Sequence, residues 1–482
     1  MAARHFRSAA EATRAVLDSI MLPTQLKPLD AAYYFESELH PHLDRVGCWV
    51  FESEPGRAPS PAEVTAHLRQ RAPFLTALDR RIVRVPAYLD YPFWVADHAP
   101  IEQRLVHRDH GLDWSEFLAA IGELAATAMD ARSRAWRIHV FYGVRRVPGV
   151  EGAATIVVLQ GSHALLAGPS IAAVASVLFG DPHEPVTVPG LGPVAERVNR
   201  FAAAARGLAR TPAGLVRYAV ALQAAVRAVK QRQAEGSAEP APSVERALTP
   251  LNGGCGDRRT ARVVRLDVDT LKRKNLTLTG VLLTGISHAL QRYLDEEAGG
   301  CPPDLAALVT IAMTAAPTDL GVNRLAGAVV DLHPEIESLP VRAATVQASL
   351  ERERRINSNE VAVERIRLVN QLPSVLYPWL SRQGRRRGRA AKARGIARLH
   401  TVVSSINFGG AAPWSLGGAP LAFAAAFPPL TFEAGLTHCF IGAGHQSSLS
   451  ILTSPDVMPR ADRYVALLEN AFAEITGSLV PR

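Results

Sequence analysis

Only four of the 482 residues are cysteine, and Cys48, Cys255, Cys301 and Cys439 are widely scattered with no CxxC pair. That spacing supports neither a zinc knuckle nor a disulfide framework, and it fits reduced thiols in a cytoplasm. Long charge-free apolar runs are absent too. The longest apolar helix candidate, residues 213–229, carries Arg217 and Arg227 and is not expected to span a bilayer. The amino terminus, "MAARHFRSAAEATRAVLDSI", alternates in charge and lacks the apolar segment of a secretory signal. Neither a P-loop nor a G-x-S-x-G elbow occurs, and the adjacency of Ser162 and His163 in "QGSHA" makes no triad, which argues against a serine hydrolase. The "HPH" at 40–42 has no second ligand cluster at metal-binding spacing and reads as solvated loop.

What is present describes a folded chain with a large core. Hydrophobic residues make up 48 % and charged residues 20 %, which excludes whole-chain disorder. The length suits two domains of roughly 200 residues each. A net charge of +8 makes an anionic partner plausible. The charge is concentrated in "SRQGRRRGRAAKARGIARLH", where Arg385, Arg386, Arg387 and Arg389 belong to eight cations with no acid among them. Such a run is either a solvated face or an anion-binding surface. No aromatic interleaving or reading module points to nucleic acid, so an anionic membrane or lipid-droplet surface is the expected partner.

Caps and periodicity place the elements. Ser60-Pro61-Ala62-Glu63 and Asp113-Trp114-Ser115-Glu116 each give a cap with a returning carboxylate, and so predict helices after them. "RAWRIHVFYGV" and "ATIVVLQ" read as strands, the second of them central. Trp49, Trp94, Trp114 and Trp136 read as core and interface anchors. "RQAEGSAEPAPSVE" replaces periodicity with small residues and prolines and reads as a linker. Beyond it, Val264, Leu266 and Val268 alternate as in a half-buried strand, followed by a helix through residues 281–293. Strands are then expected near 308–313, 401–406 and 439–451, with a closing helix over 461–475. Both halves are therefore mixed α and β: residues 1–185, a helical connection and linker over 186–247, and residues 248–482.

The most informative stretch is "TIVVLQGSHALLAGPSIAAVASVLFGD", read as strand, turn and helix with His163 at the mouth of the turn. An imidazole there suits proton abstraction from an alcohol near neutral pH. The plain alternative is one more satisfied histidine among fifteen.

This segment resembles the active-site HHxxxDG of the CoA-dependent acyltransferase superfamily, and the chain is most similar to the bacterial wax ester synthase/diacylglycerol acyltransferase family. "PLDAAYYFE", "YPFWVADH", "MDARSRAWRIHVFYGV" and "LTPLNGGCGDRR" resemble family elements in chain order, and "TVVSSINFGGAAPWSLGGAPL" stands where the family has SNVPGP. The resemblance implies two chloramphenicol-acetyltransferase-like lobes with a tunnel between them and His163 as general base. It implies acyl-CoA as co-substrate, an alcohol acceptor, a wax ester or triacylglycerol product, no metal and no tightly bound cofactor. It also implies a cytoplasmic enzyme, peripheral on the inner membrane face. By motif position it singles out Ser162, Ala167 and Gly168 around the histidine, Asn252 and Gly253 in the LNG element, and Ser404, Ser405 and Asn407 as oxyanion-donor candidates.

The departures fall on the chemistry. Ser162 replaces the first histidine, Ala167 the aspartate, Thr279-Gly280 an Asn-Asp pair, and Ser405 the Asn of SNVPGP. The alternative expectation is therefore an impaired homologue that binds acyl-CoA or lipid and acts through a partner.

Overall fold

The computed structural model describes residues 22, 24–40, 43–53, 57–234, 245–313, 317–357, 359–408, 414–443 and 446–479. The amino-terminal segment, part of the "HPH" and most of the linker lie outside the described residues.

Two six-stranded sheets organise the chain. In the first the strands run in the order Ser415–Leu416, Ala419–Phe427, Arg45–Glu52, Ala153–Gly161, Trp136–Arg145, Leu105–His110. In the second the order is Leu325–Asp331, Ala306–Ala312, Thr401–Asn407, Leu436–Ala443, Gln446–Thr453, Thr260–Leu266. Strand Ala153–Gly161 is buried at nearly every position and pairs antiparallel on both sides, the central place its β-branched run calls for. Both cap readings hold: helices Pro61–Arg71 and Trp114–Ala126 begin with reciprocal Ser60–Glu63 and Asp113–Glu116 capping boxes. The stretch over 439–451 is a hairpin, Leu436–Ala443 with Gln446–Thr453.

The second half of the sequence contributes one hairpin to the sheet of the first. Ala419–Phe427 pairs antiparallel with Arg45–Glu52, from Val46 opposite Phe427 to Phe51 opposite Leu421. Its alanines let a neighbouring backbone approach, and two buried serines of Gln446–Thr453 use that closeness. Ser448 Oγ donates to the Ala424 carbonyl at 2.6 Å, and Ser450 Oγ accepts from Ala426 N–H at 3.2 Å. Buried hydroxyls are tolerated only when satisfied in this way, so the serines join the sheets with polar contacts inside an apolar layer.

The LNG element is a structural hub. Buried Asn252 donates from Nδ2 to the Leu399 carbonyl at 2.7 Å and the Glu433 carbonyl at 2.8 Å, and its Oδ1 accepts from Thr249 N–H at 3.2 Å. Its own carbonyl accepts from Lys392 Nζ at 2.6 Å. Gly253, next along, would place a Cβ 3.0 Å from the Pro250 carbonyl. Removing the Asn252 side chain takes its hydrogen bonds from three backbone groups, at about 1–3 kcal/mol for each left buried and unpaired. Asn252→Ala is expected to lower the urea midpoint by the equivalent of about 3 kcal/mol or more; an unchanged midpoint would show that the hub contributes little.

Candidate active site

The turn after Ala153–Gly161 is built by Ser162. Its carbonyl accepts from Leu165 N–H at 2.9 Å and Leu166 N–H at 3.0 Å, and its Oγ accepts from Ala164 N–H at 3.3 Å. The return is close: a Cβ at Gly161 would meet Leu166 Cδ1, and that side chain would have to shift to admit it. Ala167, fully buried, is the N-cap residue of helix Gly168–Phe179 and offers no side-chain cap. Gly168 then meets the other lobe: a Cβ there would lie 3.4 Å from Ile406 Cγ1 on Thr401–Asn407. The His163 turn is thus pressed between the two sheets.

His163 is 6 % exposed. Its ring stacks on Tyr33 with centroids 3.8 Å apart and planes 5° from parallel, which fixes the imidazole on one face. Its carbonyl accepts from Asn323 Nδ2 at 2.9 Å. The same amide nitrogen donates to Asp30 Oδ1 at 2.9 Å, which also accepts from Asn323 N–H at 3.0 Å, while Asp30 Oδ2 accepts from Val322 N–H at 2.9 Å. Asp30 and Tyr33 belong to helix Pro28–Leu39, and Asn323 just precedes strand Leu325–Asp331, so both lobes hold the turn.

The electrostatics keep the imidazole unprotonated. Burial, with the Arg45 cation nearby, holds the His163 pKa well below its usual 6.5, so the ring is neutral at physiological pH. Its Nδ1 is buried without a hydrogen-bond partner, as is Nε of Arg45. Arg45 sits opposite Gly161 in the strand register, and burial lowers its own pKa. Burial pushes the Cys439 thiol up to about 12 despite the same cation, so this cysteine stays protonated.

Strand parity sorts the remaining candidates. Ser404 shares a face with Ile406, is buried, and accepts from the Thr310 hydroxyl at 3.0 Å. Ser405 and Asn407 lie on the opposite face and are exposed. Asn252 and Gly253 belong to the hub described above. Gly280, in the place of an aspartate, leaves room for Gln347 Oε1, which accepts from Thr277 N–H at 3.1 Å and from its hydroxyl at 2.9 Å. In the basic run, Arg385 is half-buried against Glu36 at 3.3 Å, Lys392 is bound to carbonyls, and Arg398 pairs with Glu433 at 3.2 Å. Arg386, Arg387 and Arg389 are exposed on helix Tyr377–Ala393. Among the described residues no group of three or more His, Cys, Asp or Glu could hold a metal ion.

Sequence reading missed the roles of Asp30, Tyr33, Arg45 and Asn323. The first two lie in "PLDAAYYFE", whose family likeness belongs to the whole segment and not to any one residue. Asn323 sits in a loop with no periodic signal.

Family models match in two places: the wax ester synthase/diacylglycerol acyltransferase catalytic domain over residues 26–280 and the WS/DGAT C-terminal domain over 322–476. A search of curated proteins by sequence finds no match. Among solved structures, the wax ester synthase/diacylglycerol acyltransferase from Marinobacter aquaeolei VT8 matches at 17 % identity with a TM-score of 0.61, covering 94 % of this chain and 98 % of that one. The starter condensation domain of rhizomide synthetase in complex with C8-CoA matches at 12 % identity and a TM-score of 0.51, over 95 % of each chain. The cyclization-docking bidomain from Sorangium cellulosum matches at 16 % and 0.50, over 93 % of this chain and 84 % of that one. At these identities the likeness is one of fold, two chloramphenicol-acetyltransferase-like lobes. The two family matches carry the assignment: the chain belongs to the wax ester synthase/diacylglycerol acyltransferase family and is an acyl-CoA-dependent acyltransferase.

Proposed function

We propose that His163 is the general base of this acyltransferase, that the acceptor is an alcohol, and that the product is a wax ester or triacylglycerol-type ester. The supporting observation is a neutral, buried imidazole held from both lobes at the end of a central strand. The alcohol oxygen attacks the thioester carbonyl of acyl-CoA while the imidazole takes the hydroxyl proton. The new C–O bond forms, the carbonyl π electrons move to oxygen, and the resulting tetrahedral oxyanion collapses with loss of CoA thiolate, which takes the proton from the imidazolium. Ser404 is the donor we assign to the oxyanion, since it shares a strand face with Ile406, which meets the His163 turn, and a hydroxyl paired with that of Thr310 can rotate to donate. Because His163 is buried, we expect the substrates to reach it between the lobes, acyl-CoA from one face and the alcohol from the other. We place the enzyme in the cytoplasm, peripheral on a membrane or lipid-droplet surface, with Arg386, Arg387 and Arg389 offered to anionic headgroups.

Turnover of labelled long-chain acyl-CoA over a panel of fatty alcohols, diacylglycerol and small polar alcohols tests the reading. Binding without turnover on every acceptor would favour a non-catalytic homologue. His163→Ala is expected to lower kcat by roughly 10²-fold to 10⁴-fold, and an unaffected rate would place the base elsewhere. Ser404→Ala should cost on the order of 10²-fold in kcat with little change in KM; a change confined to KM would remove Ser404 from the transition state.

The pH profile carries a separate expectation. A general base works deprotonated, and burial with Arg45 holds its pKa below 6.5, so kcat/KM should stay flat down to that pH and decline only below it. Arg45→Gln removes a cation that disfavours imidazolium, so the acid limb should move to higher pH. An acid limb already centred at or above 6.5 in the unaltered enzyme would contradict the assignment.

A further inference from the structure

Helix Arg200–Ala234 presents its apolar side to solvent. Its inward positions are small: Gly207 packs so closely on the first lobe that a Cβ would lie 2.1 Å from the Leu89 carbonyl, and a Cβ on Gly214 would lie 3.5 Å from Pro373 Cγ. The outward positions carry large hydrophobic side chains. Phe201, Leu208, Val216, Val220, Val226 and Val229 are 47–66 % exposed, and eight of the fifteen large hydrophobics exposed among the described residues lie on this helix. Amphipathic helices of globular proteins bury that face, so its exposure needs an occupant.

Charge selects the occupant. The helix holds seven Arg or Lys and no Asp or Glu. Helix Tyr377–Ala393, which begins shortly after Pro373, adds the exposed cations Arg382, Arg386, Arg387 and Arg389, and Trp379 is 57 % exposed on it. Arg206 is neutralised by Asp90 at 2.9 Å, but a second copy of this helix would still set the exposed Arg200, Arg227 and Lys230 against their like, and the outward apolar band, wide enough to include Val216 and Val220 beside Leu208, exceeds a coiled-coil seam. An anionic lipid interface matches both features, taking the apolar band into its acyl region and the cations at its headgroups. Among the described residues no helix is long and apolar enough to cross a membrane, which leaves an orientation along the surface over about 50 Å.

We propose that helix Arg200–Ala234 lies in the plane of an anionic lipid surface and is the element that docks the enzyme there. The proposal deepens the peripheral reading above and rests on it for its biological sense, yet its test needs no turnover. Full-length protein is floated with vesicles of phosphatidylcholine alone or of phosphatidylcholine with phosphatidylglycerol. The expected result is co-flotation with the anionic vesicles, weakening as salt rises. Leu208→Ser, Val216→Ser and Val220→Ser together should abolish flotation, with an unchanged urea midpoint because all three side chains are exposed. Arg227→Gln and Lys230→Gln should each lower partitioning about fivefold. Failure of the unaltered protein to float, or equal flotation of the triple serine variant, overturns the proposal. So does a dimer in sedimentation that the serine variant loses while the unaltered protein ignores vesicles, since that assigns the face to a second copy. A protein that floats as expected but transfers no acyl group to any acceptor strikes the acyl-transfer reading alone.

Discussion

One buried carboxylate ties the two lobes to each other and to the His163 turn. Asp30 is 2 % exposed and faces two backbone N–H groups and one amide of the other half of the chain. Burial outweighs those donors in setting its pKa, which rises from 3.8 to about 6. At neutral pH it is nevertheless ionised, and hydrogen bonds to a charged group are worth about 1.5–3 kcal/mol each only while the geometry is kept. Asn323 divides its amide between this carboxylate and the His163 carbonyl, so lobe docking and the shape of the turn are one interaction. The sign with pH follows. A raised carboxyl pKa contributes stability that is fully present below about 3.8 and lost as pH climbs through about 6. Buried His438 and His139, held down to about 3 and about 4, act in the opposite sense and cost stability as pH falls below 6.5.

The central strand and the capped helices were legible because each is decided locally, by β-branched runs or by a side chain returning to its own cap. The hairpin that changes sheets was not. "APLAFAAAF" is rich in alanine, whose intrinsic preference is helical, and it becomes a strand because its neighbours on both sides demand one. Helix Arg200–Ala234 extends well beyond the apolar stretch 213–229, although Gly207, Pro212 and Gly214 all have low helix propensity. The two glycines instead permit close approach to Leu89 and Pro373.

At the site, sequence revealed the histidine and not its surroundings. A strand, a glycine and a helix bracket His163 within a few residues, whereas Asp30, Arg45 and Asn323 are brought there by topology. The departures from the family pattern look less damaging in space than in sequence. Ser162 organises the turn through its carbonyl and hydroxyl. Ala167 forgoes a cap worth about 1 kcal/mol, while the clamp from Asn323 grips the same turn from the other lobe. The basic run shows the converse problem. Counted in sequence it is one patch, but Arg385, Lys392 and Arg398 are engaged by the protein itself, and what remains exposed is smaller than the count implies.

Arg45 constrains how His163 works if it takes the proton. A cation beside the ring keeps it neutral in the resting state, and the same cation penalises an imidazolium that forms alone. The penalty is relieved when a negative charge develops nearby, because the oxyanion interacts favourably with both cations in a site from which water is largely excluded. Proton transfer that ran ahead of C–O bond formation would place two cations close together in a buried space, where the one carboxylate of the network, Asp30, is already engaged by Val322 and Asn323. If His163 takes the proton, bond formation and proton removal are thus coupled by these charges.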